Sequence, residues 1–228
     1  MCSAAWSFHT DGYELAFNRD EKWARPPSLP PSIETGHQVP GICARDSKAG
    51  GTWLFTNSHG ITLALLNAYP GGKNGSSGTV SRGEIPLLAA RARSAGDLEE
   101  ILHAQTWVHY SPCHLLLLAE AHLSLHTWDG KIFSGEPPPP QPYFTSSSVM
   151  PEQARLARTA RFREISDRPF PEILSDTANA DPAMNIRPCR EDGGTVSFTR
   201  VSVGQDGIAF SLTDREGATT SLELPRRQ

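Results

Sequence analysis

The sequence predicts an α+β fold, and three observations carry that reading. A β-hairpin pattern opens the chain, a meander of three strand patterns closes it, and helical periodicity is confined to the middle. In the opening hairpin, Trp6 and Phe8 alternate with Ser7 and His9. Asp11-Gly12 supplies the turn, and Tyr13, Leu15 and Phe17 alternate on the return. The closing meander covers 195–203, 207–212 and 219–224. Strands do not alternate regularly with helices, so a βαβ doubly wound sheet is not expected.

Between these ends the elements follow in order. Residues 25–40 are rich in proline, which lacks a backbone donor and fixes φ, so a loop is predicted there. A second hairpin, 52–56 and 61–67, turns at Asn57-Ser58-His59-Gly60. Its second strand is apolar at Leu63, Ala64, Leu65 and Leu66, the pattern of a strand covered on both faces. The glycine-rich segment 69–79 reads as a flexible loop. Ser81 can cap a helix carrying Ile85, Leu87, Leu88 and Ala92, with Pro86 in its first turns. A second helix from Asp97 puts Leu98, Ile101 and Leu102 on one stripe. Strands return at 114–119 and 122–128, Asp129-Gly130 turns into 131–133, and 137–140 form a polyproline segment. A helix over 151–165 completes the middle. With no repeat and no linker, a single domain over 1–228 is expected.

Composition narrows the function. Hydrophobic residues make up 38% and charged residues 20%, with a net charge of −4, so a soluble globular protein without a nucleic-acid partner is expected. Arg155, Arg158, Arg161 and Arg163 are flanked by Glu152 and Glu164 and read as a solvated helix face. No apolar run is long enough for a membrane span and the start lacks a signal-peptide pattern, so a cytoplasmic location is expected. The four cysteines lie far apart with no CxxC pair, which argues for free thiols, with Cys113 and Cys189 buried and inert. His122 and His126 share a strand face but stand about 13 Å apart, too far for one ion. Neither a metal nor a cofactor is expected, and nothing specifies an oligomeric state.

Cys2 carries the chemistry. Removal of Met1, which a small second residue permits, would make it the N-terminal residue. Its α-amine, with a pKa of about 7.7–8.0, would then take the thiol proton directly or through a water. One residue supplies both nucleophile and base.

Four blocks in order support this reading. They are Leu15-Ala16-Phe17-Asn18-Arg19-Asp20-Glu21-Lys22-Trp23-Ala24-Arg25-Pro26, then Ala44 to Leu54 with its Arg45-Asp46 and Gly50-Gly51-Thr52-Trp53, then the strand ending at Asn67, then Ser81-Arg82-Gly83-Glu84. Together with Met1-Cys2 they resemble the NRDE family, the transport and Golgi organisation protein 2 family. Beyond residue 100 the resemblance is thin. It implies kinship with cysteine N-terminal-nucleophile (Ntn) hydrolases, hence a four-layer αββα sandwich in which the nucleophile starts a central strand.

The same resemblance implies site roles. Arg19 and Asp20 would orient Cys2 and its amine, although the related amidases space these residues three apart. Asn67 would donate to an oxyanion, a contact worth about 2.7–4 kcal/mol in the transition state. Trp53 and Ser147 are expected to contact substrate, Ser147 standing where the family carries an asparagine. Val196 follows Gly194-Thr195 where the family often has arginine, and Phe55 stands where it has glycine. The implied function is hydrolysis of an amide or acyl bond in a small hydrophobic molecule. The alternative is a non-enzymatic lipid or haem carrier on the same scaffold. For the enzyme reading, Cys2 beside its own ammonium and Arg19 is expected to have a pKa below about 8.5.

Overall fold

The computed structural model describes residues 2–70 and 78–227; most of the expected glycine-rich loop lies outside them. The opening hairpin pairs β1 (Cys2–His9) with β2 (Gly12–Lys22). The next strands are β3 (Pro31–Glu34), β4 (Gly41–Ala44), β5 (Leu54–Asn57) and β6 (Thr62–Asn67). After helix α1 (Ala95–His103) come β7 (Cys113–Ala119), β8 (His122–Trp128), β9 (Phe133–Glu136) and β10 (Tyr143–Ser146). Helices α2 (Pro151–Glu164) and α3 (Phe170–Leu174) then precede β11 (Gly193–Val203), β12 (Gly207–Asp214) and β13 (Thr219–Pro225).

The strands form two antiparallel sheets. One has the order β10-β1-β2-β11-β12-β13 and the other runs β3 to β9 in chain order. Their inner faces meet in a core that includes Ala4, Trp6, Leu15 and Phe17 from one sheet and Leu54, Ala64, Leu66 and Leu116 from the other. The alternate residues of β6, Leu63 and Leu65, face outward and are covered by α1 and a 3-10 helix (Arg82–Arg91). Outside the other sheet, Ala5 and Ala16 pack under Phe162, Ile173 and Leu174 of α2 and α3. Helix, sheet, sheet and helix therefore stack as the four-layer αββα sandwich. The doubly apolar β6 is explained by two cores, one on each face.

Several local expectations are corrected. The proline-rich 25–40 stretch contains β3, which is an edge strand with Pro31 as its first residue, a place where a missing donor costs nothing. The helix after Ser81 is 3-10, with Pro86 inside it. Asn57 ties that helix to the β5–β6 turn: its amide donates to the Ala89 and Ala92 carbonyls and its oxygen accepts from the His59 and Ile61 N–H groups. β10 was not foreseen, yet it pairs with β1 and sets Ser146 opposite Cys2. Of the α2 arginines, Arg158 does not belong to a solvated face; it is wholly buried.

His122 and His126 do share a face, and Glu99 of α1 meets both, at 3.2 and 3.9 Å. Among the described residues no group of three or more metal-ligating side chains converges. His114, on the opposite face of β7 from Leu115, is hydrogen-bonded to Thr127 and meets the Phe144 ring edge-on. Burial pushes its pKa down to about 4. The unfolded chain takes up that proton near 6.5 while the folded chain resists it, so stability should fall between pH 6.5 and 4. The difference amounts to at most about 3 kcal/mol. A His114→Gln variant, followed by urea unfolding across that range, should lose this part of the pH dependence.

Candidate active site around Cys2

The hairpin register builds the first half of the site. With His9 opposite Gly12, the strands run back to place Cys2 directly opposite Arg19. Both side chains therefore leave the sheet on the inner face. Cys2 is only 6% exposed and lines a cavity of about 350 Å³. Arg19, Asp20, Trp53 and Asn67 line the same cavity, so five of the six expected site residues come together. Ser147 does not. It follows β10 directly and lines a separate groove of about 900 Å³, where its hydroxyl closes on the Val149 backbone.

Arg19 and Asp20 do not pair with each other, because adjacent strand residues point to opposite faces. Arg19 lies 4.5 Å over the Trp53 ring and donates to Asp46 at 2.5 Å. Arg25 closes on the same carboxylate with two hydrogen bonds of 2.8 and 2.9 Å. Asp46 also accepts from the backbone N–H groups of Lys48 and Ala49. Glu21 lies 3.6 Å from Arg25, while Arg45 pairs with Glu34.

Asp20 turns toward the helix layer. The Thr195 hydroxyl donates to it at 2.7 Å, where β11 bulges at Val196. Burial pushes the Asp20 carboxyl up, and the charges of Arg158 and of the N-terminal ammonium pull it back. Arg158 reaches this region from α2 through bonds to the Thr145 hydroxyl and the Ser146 and Ala183 carbonyls. Its buried guanidinium has no carboxylate within ion-pair distance among the described residues. Sequence reasoning missed both Asp46 and Arg158. The Arg45-Asp46 step in the second motif block was the available signal for the first; for the second there was none.

Two motif blocks meet across the cavity wall. The Thr52 N–H donates to the Gly83 carbonyl at 2.8 Å, and a Cβ on Gly51 would stand 2.7 Å from Gly83 backbone. Only glycine permits that approach. It seats Ser81 and Arg82 beside the cavity. Asn67, half-buried at the end of β6, makes no side-chain hydrogen bond among the described residues.

The thiol differs from expectation in one respect. Burial pushes the Cys2 pKa above its ordinary value, outweighing the lowering by the N-terminal ammonium, the Asp20 N–H and Arg19; the Asp20 carboxylate adds to the rise. Cys43 and Cys113 are also buried, pushed up to about 11 and about 12. Cys189, expected inside, is exposed. Limited iodoacetamide labelling of the native protein should therefore mark Cys189 first, Cys2 next through its cavity, and Cys43 and Cys113 last. Cys2 labelling should rise with pH. Peptide mass spectrometry gives the order, and Cys2 lagging behind Cys43 would mean that the cavity does not reach the sulfur.

A four-layer αββα sandwich with a cysteine heading a strand beside the cleft defines the Ntn-hydrolase fold. The chain belongs to the family described as Transport and Golgi organisation 2, whose model matches residues 1–128. Among solved structures, it is similar to the C2A mutant of the conjugated bile acid hydrolase from Clostridium perfringens. That likeness has a TM-score of 0.57 at 9% identity, covering 100% of this chain and 97% of that one. The N-acylethanolamine-hydrolyzing acid amidase ortholog of Caenorhabditis elegans is also similar, with TM-score 0.47 at 12% identity, covering 88% and 92%. No curated protein matches the sequence.

Proposed function

We propose that this protein is an Ntn-type cysteine hydrolase that cleaves an amide or acyl bond of a small molecule, its whole chain acting as one domain. The observation that carries the reading is the Cys2–Arg19 pair opening into a cavity with Asn67 on its wall, whose amide makes no hydrogen bond among the described residues. The one-domain reading is supported by β1 and β2 lying between β10 and β11 of the same sheet. In this mechanism Met1 is removed, the Cys2 amine takes the thiol proton, and the sulfur attacks the carbonyl carbon. Asn67 donates to the oxyanion. The ammonium protonates the leaving group, and water then hydrolyses the acyl-enzyme. The raised thiol pKa makes transfer to an amine of pKa about 7.7–8.0 uphill, so the thiolate forms only as far as the ammonium beside it and Arg19 stabilise it. Asp20 holds the ammonium, Arg19 fixes the cysteine strand, and Trp53 contacts the substrate.

The test has two parts. Intact-mass analysis should find Met1 absent; a retained Met1 leaves no amine on Cys2 and defeats the mechanism. With a panel of N-acyl amides, Cys2→Ala should abolish acyl-enzyme formation. Asn67→Ala should lower kcat about 10²–10³-fold.

A second reading, a carrier of a hydrophobic ligand, is favoured by the groove of about 900 Å³ that Tyr69, Leu125, Phe144, Ser147 and Leu156 help to line. Ser147 would contact the ligand there. Under that reading a lipid or haem would bind equally well to Cys2→Ala.

A further inference from the structure

We infer that the Cys2 cavity receives an anionic ligand, with Arg82 as the group that recognises its carboxylate or equivalent charge. The inference rests on the reading of this cavity as the substrate site. Six charged side chains line it: Arg19, Arg25, Arg82, Asp20, Glu21 and Asp46. Each carboxylate is already engaged, Asp46 by Arg19 and Arg25, Asp20 by Thr195, and Glu21 by the Lys22 N–H and Arg25. Two of the three arginines are consumed by Asp46. Arg82 is different. Its guanidinium makes one bond, to the Pro112 carbonyl at 2.7 Å, and no carboxylate lies within ion-pair distance among the described residues.

The remaining uncommitted groups point the same way. Among the described residues the buried Trp53 indole N–H has no acceptor and the Asn67 amide makes no hydrogen bond. A half-buried cation and spare donors are satisfied by a ligand rich in acceptors and carrying negative charge. Arg82 is also held ready. Its neighbour Gly83 is locked against Gly51 and Thr52, and its fork is steadied by Pro112, so little ordering remains to be done on binding. A ligand that is hydrophobic throughout would leave the Trp53 and Asn67 donors and the rest of the Arg82 fork without acceptors.

The test uses the Cys2→Ala protein, which leaves the ligand intact, and two matched probe pairs followed by calorimetric titration. N-hexanoyl-β-alanine and its carboxamide place the charge on the amine side of the amide. N-butylglutaramate and N-butylglutaramide place it on the acyl side. One anionic probe should bind at least about tenfold tighter than its neutral twin. R82Q should abolish that preference while its thermal unfolding matches that of the parent, which shows the variant is folded, and R82K should keep part of it. Equal affinity within both pairs, or a preference that survives R82Q, overturns the inference. Turnover by the Cys2-bearing protein is scored separately. An anionic preference without turnover sinks the hydrolase reading and leaves Arg82 standing, whereas turnover of both twins at equal kcat/KM does the reverse.

Discussion

An Asp46→Ala variant should lose about 3–5 kcal/mol of folding stability, with a fall in Tm of about 10 °C or more. Asp46 is the hub between the two sides of the candidate site. It accepts from Arg19, from Arg25 twice and from two backbone N–H groups, with its side chain only 10% exposed. Its removal leaves the Arg19 guanidinium, itself 7% exposed, against the Trp53 ring with no carboxylate within ion-pair distance among the described residues. An uncompensated buried cation costs far more than an intact surface pair contributes.

The pH dependence gives an independent check. Burial opposes the Asp46 charge, but hydrogen bonds from Arg25 and the Ala49 N–H, with the charge of Arg19, hold the carboxyl below its ordinary value. A depressed carboxyl contributes stability above its unfolded pKa, about 3.9, and loses it as pH falls through the folded value. The gap between wild type and Asp46→Ala should therefore narrow below about pH 4. Urea unfolding at pH 7 and pH 3 measures both. A loss under 1 kcal/mol at pH 7 would show that Arg19 finds another partner, and Asp46→Asn should fall between the two proteins.

How much of this was legible depended on distance along the chain. The β1–β2 hairpin was readable because the turn at Asp11-Gly12 fixes every pairing behind it, down to Cys2 opposite Arg19. β6 was readable because two cores demand apolar residues at successive positions. The three missed strands, β3, β4 and β10, are four residues each, too short for alternation to register. β10 exists by virtue of Ser146 meeting Cys2, a contact no local pattern records. Within the site, motif blocks located Arg19, Asp20, Trp53 and Asn67 at the cavity. Ser147 lines a groove apart from Cys2, and the register of β10 against β1, after which it follows, has no signal in composition. Arg158 looked like three other arginines on one helix; only the packing of α2 against β10 distinguishes it.

That buried arginine carries the remaining large effect. Arg158→Met should cost about 3 kcal/mol near neutral pH, because it removes the cation that most strongly offsets burial at Asp20. The sign with pH is the reverse of that for Asp46. Burial raises the folded Asp20 pKa above the unfolded value, so this residue favours folding at low pH and loses that contribution as pH rises through the folded value. Without Arg158 the carboxyl rises further, so the deficit of Arg158→Met should be smallest near pH 4 and grow toward pH 8. Adding Asp20→Asn removes the carboxylate charge while keeping an acceptor for Thr195, and should restore part of the loss. The double-mutant cycle isolates the coupling from the bonds Arg158 makes to Thr145, Ser146 and Ala183. If Cys2 works as proposed, the acid limb of kcat in Arg158→Met should also move to higher pH, since an ionised Asp20 holds the ammonium. A deficit constant from pH 4 to 8, with the two substitutions strictly additive, would reduce Arg158 to a packing residue and leave Asp20 balanced by some other charge.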